Sequence, residues 1–525
     1  MKLLKRTAAA ILTLALAACA GFEMTPVNEL KVKTKQGVVA GAEADGIRTF
    51  KGIPYAAPPV GPLRWKPPQA AMKWDGVRDA TKFGPPCPTF DTSKYAQAKR
   101  RSDLGYDIFS GVPLAPGATE DCLTLDIWAP KDAKNAPVMV WLNALGASSN
   151  PIIDGTAFAR DGVILVNFNY RQLSMGNFSH PALRAAAKPD EPLGRFQTMD
   201  QLAALKWVKD NIRAFGGDPG NVTLFGLSAG GASTLQILTI PESKKLVDKA
   251  IVQSGNGWFS PITQSEMETI GAWMAKEAGW PANATAEQLR SLPLDTLPHL
   301  GAYSIDGRLQ KENATEAFAA GRVIDVPMII GWTDFDGSSL RYPPQTVIDR
   351  TSAGVKAAYA AEGKTGDDLV YAIYTDSHNG APARWTAKMT ASGQPTYLYL
   401  WTYVRAPDRG KVRGAAHGSD LSYAFDSWAK SYPQLQLTEE DKAATRLIHS
   451  CWISFAKTGK PQCDGAPEWP RYTAQGDQLM ELGLNPKVLT GYRKAQLDAQ
   501  ENAMHEVIDH TRRSVEDLVA GVAEP

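Results

Sequence analysis

The chain has 525 residues, 44% of them hydrophobic and 21% charged, which is the makeup of a folded globular protein rather than a disordered or fibrous one. Its 56 Lys and Arg against 55 Asp and Glu leave a formal charge of +1, so no global field gathers nucleic acid or an anionic membrane, and neither is expected as a partner on that ground. There is no internal repeat, no low-complexity tract and no apolar run long enough to cross a bilayer.

At the N-terminus, Lys2, Lys5 and Arg6 precede an uncharged apolar run from Ala8 to Ala18, the layout of a secretory signal. The run ends Leu16-Ala17-Ala18-Cys19, which resembles the bacterial lipoprotein cleavage box, in which Cys19 would be lipidated and begin the mature chain. Ordinary cleavage at a small residue is the alternative. Ala20 follows, not an Asp that would suggest inner-membrane retention. The expected division is a signal over 1–18, a tether over 19–26 and one domain over 27–525. The protein is expected to be periplasmic, anchored to the outer membrane or secreted, meeting membrane only through the lipid. Export permits disulfides, and Cys87, Cys122, Cys451 and Cys463 allow three pairings. Cys87 lies in a Pro-rich loop and Cys122 just before an alternating segment, positions compatible with a clip. Two buried free thiols are the less favoured alternative in an oxidising compartment, one that stays open for Cys451, which falls on an apolar helix face.

Along the middle of the chain, apolar runs at Pro137–Leu142, Val163–Phe168, Val222–Phe225, Ala250–Gln253, Val326–Gly331 and Thr396–Trp401 read as strands buried on both faces. Helical periods alternate with them. Met199–Phe215 follows a capping-type Thr198 and spaces Leu202, Leu205, Val208 and Ile212 along one face; Ala443–Lys457 behaves similarly. The fold class is therefore α/β, with a mostly parallel sheet covered by helices. The charged, apolar-striped stretch Arg493–Val522 reads as a packing helix.

Gly226-Leu227-Ser228-Ala229-Gly230 matches G-x-S-x-G, a pattern short enough to occur by chance. Its context is a short buried strand before it and a small-residue helix after it, up to Ile240 and Pro241. That is the strand, turn and helix of the nucleophile elbow of the α/β-hydrolase fold: Ser228 is thrust out at the strand's end and the Ala229 amide points at the developing oxyanion. A serine alcohol needs a base held by an acid, in the chain order Ser, acid, His. The Val326–Gly331 strand runs into Asp334 and Asp336. Of the five histidines beyond it, His449, His505 and His510 fall on helical segments and His378 in a polar loop, whereas His417 lies on the Gly-rich loop 414–418, where catalytic bases are usually carried.

Phe50-Lys51-Gly52-Ile53-Pro54-Tyr55-Ala56 with Pro62-Leu63-Arg64-Trp65, and Glu120-Asp121-Cys122-Leu123-Thr124-Leu125, resemble the type-B carboxylesterase and cholinesterase family. Val166-Asn167-Phe168-Asn169-Tyr170-Arg171, Asn211-Ile212, Phe215 to Pro219, Gln253-Ser254-Gly255, Ile305-Asp306-Gly307 and Phe455 to Gly459 continue the likeness in order. The resemblance implies an ester hydrolase with Ser228 as nucleophile, Asp336 as triad acid where Glu is commoner, and His417 as general base. It also implies a Cys87–Cys122 disulfide, an oxyanion hole from Ala229, Gly146 and Leu145, and a small-molecule ester as substrate; no cofactor is expected, since no Gly-rich phosphate loop is present. No His, Cys and Asp cluster has metal-ligand spacing.

Two departures bear on mechanism. Asn143-Ala144-Leu145-Gly146 stands where the family has His-Gly-Gly-Gly, so two glycines whose amides would face the transition state are missing. The expectation is a weakened hole or one rebuilt around a different substrate. Leu227 replaces a common Glu beside the nucleophile, which argues against choline esters. Two other readings remain: an inactive binding protein on the same fold, favoured by the altered loop, and an acyltransferase using the same triad with restricted water access.

Overall fold

The structure, a computed structural model, describes residues 30–89, 99–101, 108–110, 114–144, 147–255, 257–259, 262–281, 283–296, 299–300, 304–340 and 343–523. The leader, Cys19 and the tether up to residue 26 lie outside them. In chain order the elements that build the site are β1 (Ala42–Ala44), β2 (Ile47–Pro54), β3 (Thr124–Pro130), β4 (Ala136–Leu142), β5 (Ile164–Phe168), α1 (Phe196–Asn211), β6 (Gly217–Leu227), α2 (Ala229–Leu238), β7 (Lys249–Gln253), β8 (Met328–Thr333), α3 (Gly366–Thr375), α4 (Ala381–Thr390), β9 (Thr396–Trp401), α5 (Leu421–Phe425), α6 (Glu439–Thr458), β10 (Gln478–Leu482) and β11 (Lys487–Thr490).

These strands form one 11-stranded sheet in the order β11-β10-β9-β8-β7-β6-β4-β5-β3-β2-β1. From β10 to β5 every neighbouring pair is parallel. The edges are antiparallel. The expected α/β architecture is thus present, and the continuous apolar runs follow from burial on both faces. Along β4, for example, Val138, Val140 and Leu142 enter one core and Met139 and Trp141 the other. After β4 the chain places β5 on one side and β6 on the other, so strand order reverses between β4 and β6. In open α/β sheets ligands bind outside the carboxyl ends of the strands at such a point.

The motifs that carried the family resemblance are structural joints. Arg64 makes a two-pronged ion pair with Glu120, through Nε to Oε1 at 2.7 Å and Nη2 to Oε2 at 2.6 Å, tying the Pro62–Trp65 segment to the chain entering β3. Arg171 forks the same way onto Asp200 of α1, with both side chains almost wholly buried. A buried charge pair is tolerated only when its geometry is this complete, and removing one partner strands the other.

Several local expectations need correction. The first long helix starts at Phe196 with Arg195 as its N-cap; Thr198 lies inside the first turn and accepts a hydrogen bond from Arg195 Nη2 instead. His378 is in a π-helical turn, Asp376–Gly380, not a loop. The C-terminal stretch forms two helices, Lys494–Asn502 and Met504–Ala523. Cys451 is bonded to Cys463, and Cys87 to Cys122 as the resemblance implied, which overturns the free-thiol reading of Cys451. None of the described helices is long and apolar enough to cross a membrane.

The Cys87–Cys122 bridge closes a separation of 35 residues and Cys451–Cys463 one of 12. If the bridges act mainly by restricting the unfolded chain, Cys87→Ala/Cys122→Ala lowers stability by about 4 kcal/mol and Cys451→Ala/Cys463→Ala by about 3 kcal/mol. Urea unfolding of the two double variants checks the order.

Candidate active site

The turn after β6 is built from backbone packed on backbone. A Cβ on Gly226 would lie 2.5 Å from the carbonyl carbon of Gly230, and one on Gly230 would lie 2.1 Å from the Leu142 carbonyl oxygen. Only glycine fits at either place. Between them Ser228 takes φ 57° and ψ −121°, a conformation that a side-chain-bearing residue keeps only when its surroundings over-determine it. They do so here. The Ser228 amide donates to the Gln253 carbonyl at 2.9 Å, and its carbonyl accepts from the Ala232 amide at 2.8 Å. Ala229 opens α2, so its amide has no place in the helix ladder, and among the described residues it has no partner. The site beside Ser228 therefore combines an unpaired donor with the positive end of a helix dipole.

Asp336 lies three residues beyond β8 in the short turn Asp336–Ser339 and is fully buried. Its Oδ2 accepts from the Thr333 amide at 3.0 Å and the Ser254 hydroxyl at 2.9 Å, which leaves Oδ1 to His417 Nδ1 at 2.5 Å. The histidine loop is zipped to the acid loop. Phe335 and Ala416 form a parallel bridge, the Ala415 amide donates to Asp334 Oδ1 at 2.6 Å, and the His417 amide donates to Ser338 Oγ at 2.8 Å. The same loop sits against the elbow, since a Cβ on Gly418 would come within 3.1 Å of Leu227 Cδ2. His417 is thus oriented by a carboxylate and carried beside the residue that precedes Ser228.

Two further carboxyls frame this pair. Burial pushes the Asp334 carboxyl up to about 6, although the Ala415 amide favours its charged form. Asp420 is also fully buried and also held at about 6, first by burial and then by the nearby charge of Asp336, against the opposing hydrogen bond from Gln253 and the attraction of His417. Its Oδ2 accepts from Gln253 Nε2 at 2.9 Å and Tyr399 Oη at 3.3 Å; its Oδ1 has no partner among the described residues. Gln253 in turn accepts from Trp452 Nε1 at 3.2 Å, so its side-chain amide connects α6 to the segment after His417 while its carbonyl holds the elbow.

Of the expected site residues, Ser228, Ala229, Asp336 and His417 stand at the carboxyl ends of neighbouring strands or on loops packed there. Leu145 and Gly146 lie outside the described residues. His449 is buried among α5 and α6, its Nδ1 2.7 Å from the Ala424 carbonyl, as a packing histidine would be. Ser254 and Asp420 were not singled out in the sequence. Ser254 belongs to the Gln253-Ser254-Gly255 match, whereas Asp420 has only its place three residues after His417. No group of His, Cys, Asp and Glu among the described residues could hold a metal ion.

A largely parallel sheet with an elbow serine, a buried acid after a later strand and a loop histidine bonded to it defines the α/β-hydrolase fold. The sequence pattern of the Carboxylesterase family matches residues 28–353 and 349–500, and the chain belongs to that family. It is 33% identical to a para-nitrobenzyl esterase from Bacillus subtilis, covering 86% of this chain and 94% of that one, and 32% identical to a fumonisin B1 esterase from Sphingopyxis macrogoltabida, covering 86% of each. Among solved structures, a PNB esterase superposes with a TM-score of 0.76 at 27% identity over 90% of this chain and 99% of that one. A Geobacillus stearothermophilus carboxylesterase does so with 0.74 at 29% over 89% and 100%. The protein is a carboxylic-ester hydrolase.

The sign of one pH effect follows from Asp420. An acid held above its ordinary value binds its proton more readily in the folded chain, so its burial lowers stability as pH rises from about 4 to about 6 and keeps it lower above that range. Asp420→Asn retains an acceptor for Gln253 and Tyr399 but cannot ionise. Relative to wild type it is expected to gain on the order of 2 kcal/mol at pH 8 over its standing at pH 4. Denaturant midpoints at the two pH values measure this, and an equal offset at both contradicts it.

Proposed function

We propose that ester hydrolysis runs through an acyl-enzyme on Ser228, with His417 as general base and acid and Asp336 as the carboxylate that orients it. The observation that carries this reading is the 2.5 Å contact of His417 Nδ1 with Asp336 Oδ1 on a loop packed against the elbow. With Nδ1 turned to the carboxylate, Nε2 is the ring nitrogen this reading assigns to the serine proton. Ser228 Oγ attacks the ester carbonyl carbon while Nε2 takes its proton, and the C=O electrons move onto oxygen. The Ala229 amide donates to that oxyanion, joined by donors from the Asn143 to Gly146 loop. Collapse of the tetrahedral intermediate breaks the bond to the alkoxy oxygen, which leaves as the alcohol with the proton from His417. Water, deprotonated by the same imidazole, then attacks the acyl carbon and releases the acid and free serine.

Small-molecule esters with an uncharged alcohol portion are the substrates this reading favours. Leu227 is buried beside the nucleophile and offers no carboxylate to a cationic alcohol. The named activities of the para-nitrobenzyl and fumonisin B1 relatives agree with small-molecule esters. The binding-protein reading loses ground, because such a protein has no need of a strained serine next to an amide that has no partner among the described residues. For the cell we propose export, with residues 1–18 as the signal, 19–26 as a tether, Cys19 as the acylated first residue and 27–525 as one catalytic domain. The two disulfides support an oxidising compartment.

A fluorophosphonate probe is expected to label the wild-type protein on Ser228, and Ser228→Ala to abolish both labelling and ester turnover; labelling that survives the substitution would remove the serine from its role. Mass spectrometry of the mature protein is expected to find an acylated Cys19 at its N-terminus, and Cys19→Ala to release the membrane-associated pool. An unmodified N-terminus at another residue would refute the anchor.

A further inference from the structure

The helical segment packed on the acid loop is interrupted. Between α3, which ends at Thr375, and α4, which starts at Ala381, the chain makes one π turn, Asp376–Gly380. Such turns are rare and recur at functional sites. From the residue before this turn and from one near its end, buried side chains reach the surroundings of Asp336. The Gly337 amide donates to Thr375 Oγ1 at 2.7 Å. With its amide turned so that both oxygen and nitrogen find partners, Asn379 donates through Nδ2 to the Ser254 carbonyl at 2.9 Å and to the His378 carbonyl at 3.2 Å.

Each of these contacts holds a neighbour of the acid. Gly337 follows Asp336 in the chain, and its backbone lies so close to α3 that a Cβ there would fall 2.5 Å from the Tyr371 carbonyl oxygen. Ser254 gives its hydroxyl to Asp336 Oδ2 and its amide to the Gly331 carbonyl at 2.9 Å, and Asn379 fastens its carbonyl as well. The turn itself is tied down, because Asp376 accepts from the Tyr359 hydroxyl at 2.7 Å and from Arg493 through Nε at 3.1 Å and Nη2 at 2.9 Å. Satisfied buried polar networks rigidify what they touch, and this one ends on the two residues that bracket the Asp336 carboxylate.

We propose that Thr375 and Asn379 are positioning residues for ester hydrolysis: by holding Gly337 and Ser254 they fix the Asp336 carboxylate, and through it the imidazole of His417. The inference rests on the reading of Ser228, His417 and Asp336 as the triad. A misplacement of about 1 Å caused by a change far from the chemistry can cost on the order of 10²-fold in rate. A loosened Asp336 therefore reaches turnover through His417 while the binding of the ester is left as it was.

The test uses Thr375→Val, which keeps the shape of the side chain and removes the acceptor, Thr375→Ser, which keeps the acceptor, and Asn379→Leu. Thr375→Val and Asn379→Leu are each expected to lower kcat on a p-nitrophenyl ester by roughly 10-fold with KM within about twofold, and Thr375→Ser to stay within about twofold of wild type in both. A double-mutant cycle with Asp336→Asn asks whether the effect passes through the acid. In that background Thr375→Val is expected to cost less than about twofold more, because the group it positions has already been altered. Unchanged kcat in folded Thr375→Val and Asn379→Leu, a raised KM at constant kcat, a Thr375→Ser variant as slow as Thr375→Val, or full additivity with Asp336→Asn each overturns the inference. If Thr375→Val and Asn379→Leu do not fold, Thr375→Ala and Asn379→Ala, whose smaller side chains let the backbone relax, are read in the same way. Two controls separate this inference from the reading it rests on. A wild type that a fluorophosphonate does not label on Ser228, or an Asp336→Asn variant with wild-type kcat, overturns the triad and the positioning role together. A labelled wild type and a slow Asp336→Asn variant beside unaffected Thr375 and Asn379 variants overturn the positioning role alone.

Discussion

Everything at the site depends on one residue being held where its backbone would not go unaided. Ser228 occupies φ 57°, a conformation that costs on the order of 1–3 kcal/mol for a residue with a side chain. The strain is offset locally. Gly226 and Gly230 let strand and helix touch backbone to backbone, and the Gln253 carbonyl and the first turn of α2 fasten Ser228 from both sides. Because β6 lies in the middle of a parallel sheet, the turn cannot relax without shifting β4 and β7 as well. The result is a hydroxyl lifted off the sheet edge next to an amide with no partner among the described residues.

The same sheet supplies the rest by geometry. Strands β6, β7 and β8 are consecutive neighbours running the same way, so Ser228, Ser254 and Asp336 emerge at one end. Ser254 is also left-handed, at φ 46°, and spends its hydroxyl on Asp336. The acid therefore has one oxygen committed to the scaffold and the other to His417. Holding Oδ2 through a backbone amide and a hydroxyl fixes the direction of Oδ1 more firmly than packing alone, since each bond is directional. Beyond it, Gln253 and Asp420 join the elbow, the histidine segment and α6 through a buried chain of hydrogen bonds.

Much of this could be read from the residues because it depends on local pattern. The continuous apolar runs announced the parallel strands, and G-x-S-x-G between a strand and a small-residue helix located the turn. His417 stood apart from the helical histidines by its glycine-rich surroundings. What escaped depends on which distant segments meet. β6 runs from Gly217 to Leu227, starting earlier than the apolar stretch at Val222, because its entry through Asp218 to Asn221 is polar. Thr198 has the chemistry of a cap, but the helix begins sooner and Arg195 captures its hydroxyl. His378 looked like part of a loop because Ser377, Asn379 and Gly380 beside it are loop formers, yet Asp376 and Thr375 are buried against the acid loop and Arg493, and the chain remains helical. Asp420 and Ser254 have no periodicity to betray them. Cys463 lies outside any periodic segment, so its pairing with Cys451 was invisible until α6 was placed.

The most direct test of the account is acid-quenched peptide mapping after brief mixing with a p-nitrophenyl ester, whose good leaving group makes acylation fast relative to hydrolysis of the intermediate. The account predicts the acyl mass on the peptide containing Ser228, accumulating with the first turnover and absent in Ser228→Ala. Ester turnover with no adduct on that peptide, or with the adduct on another residue, would contradict it.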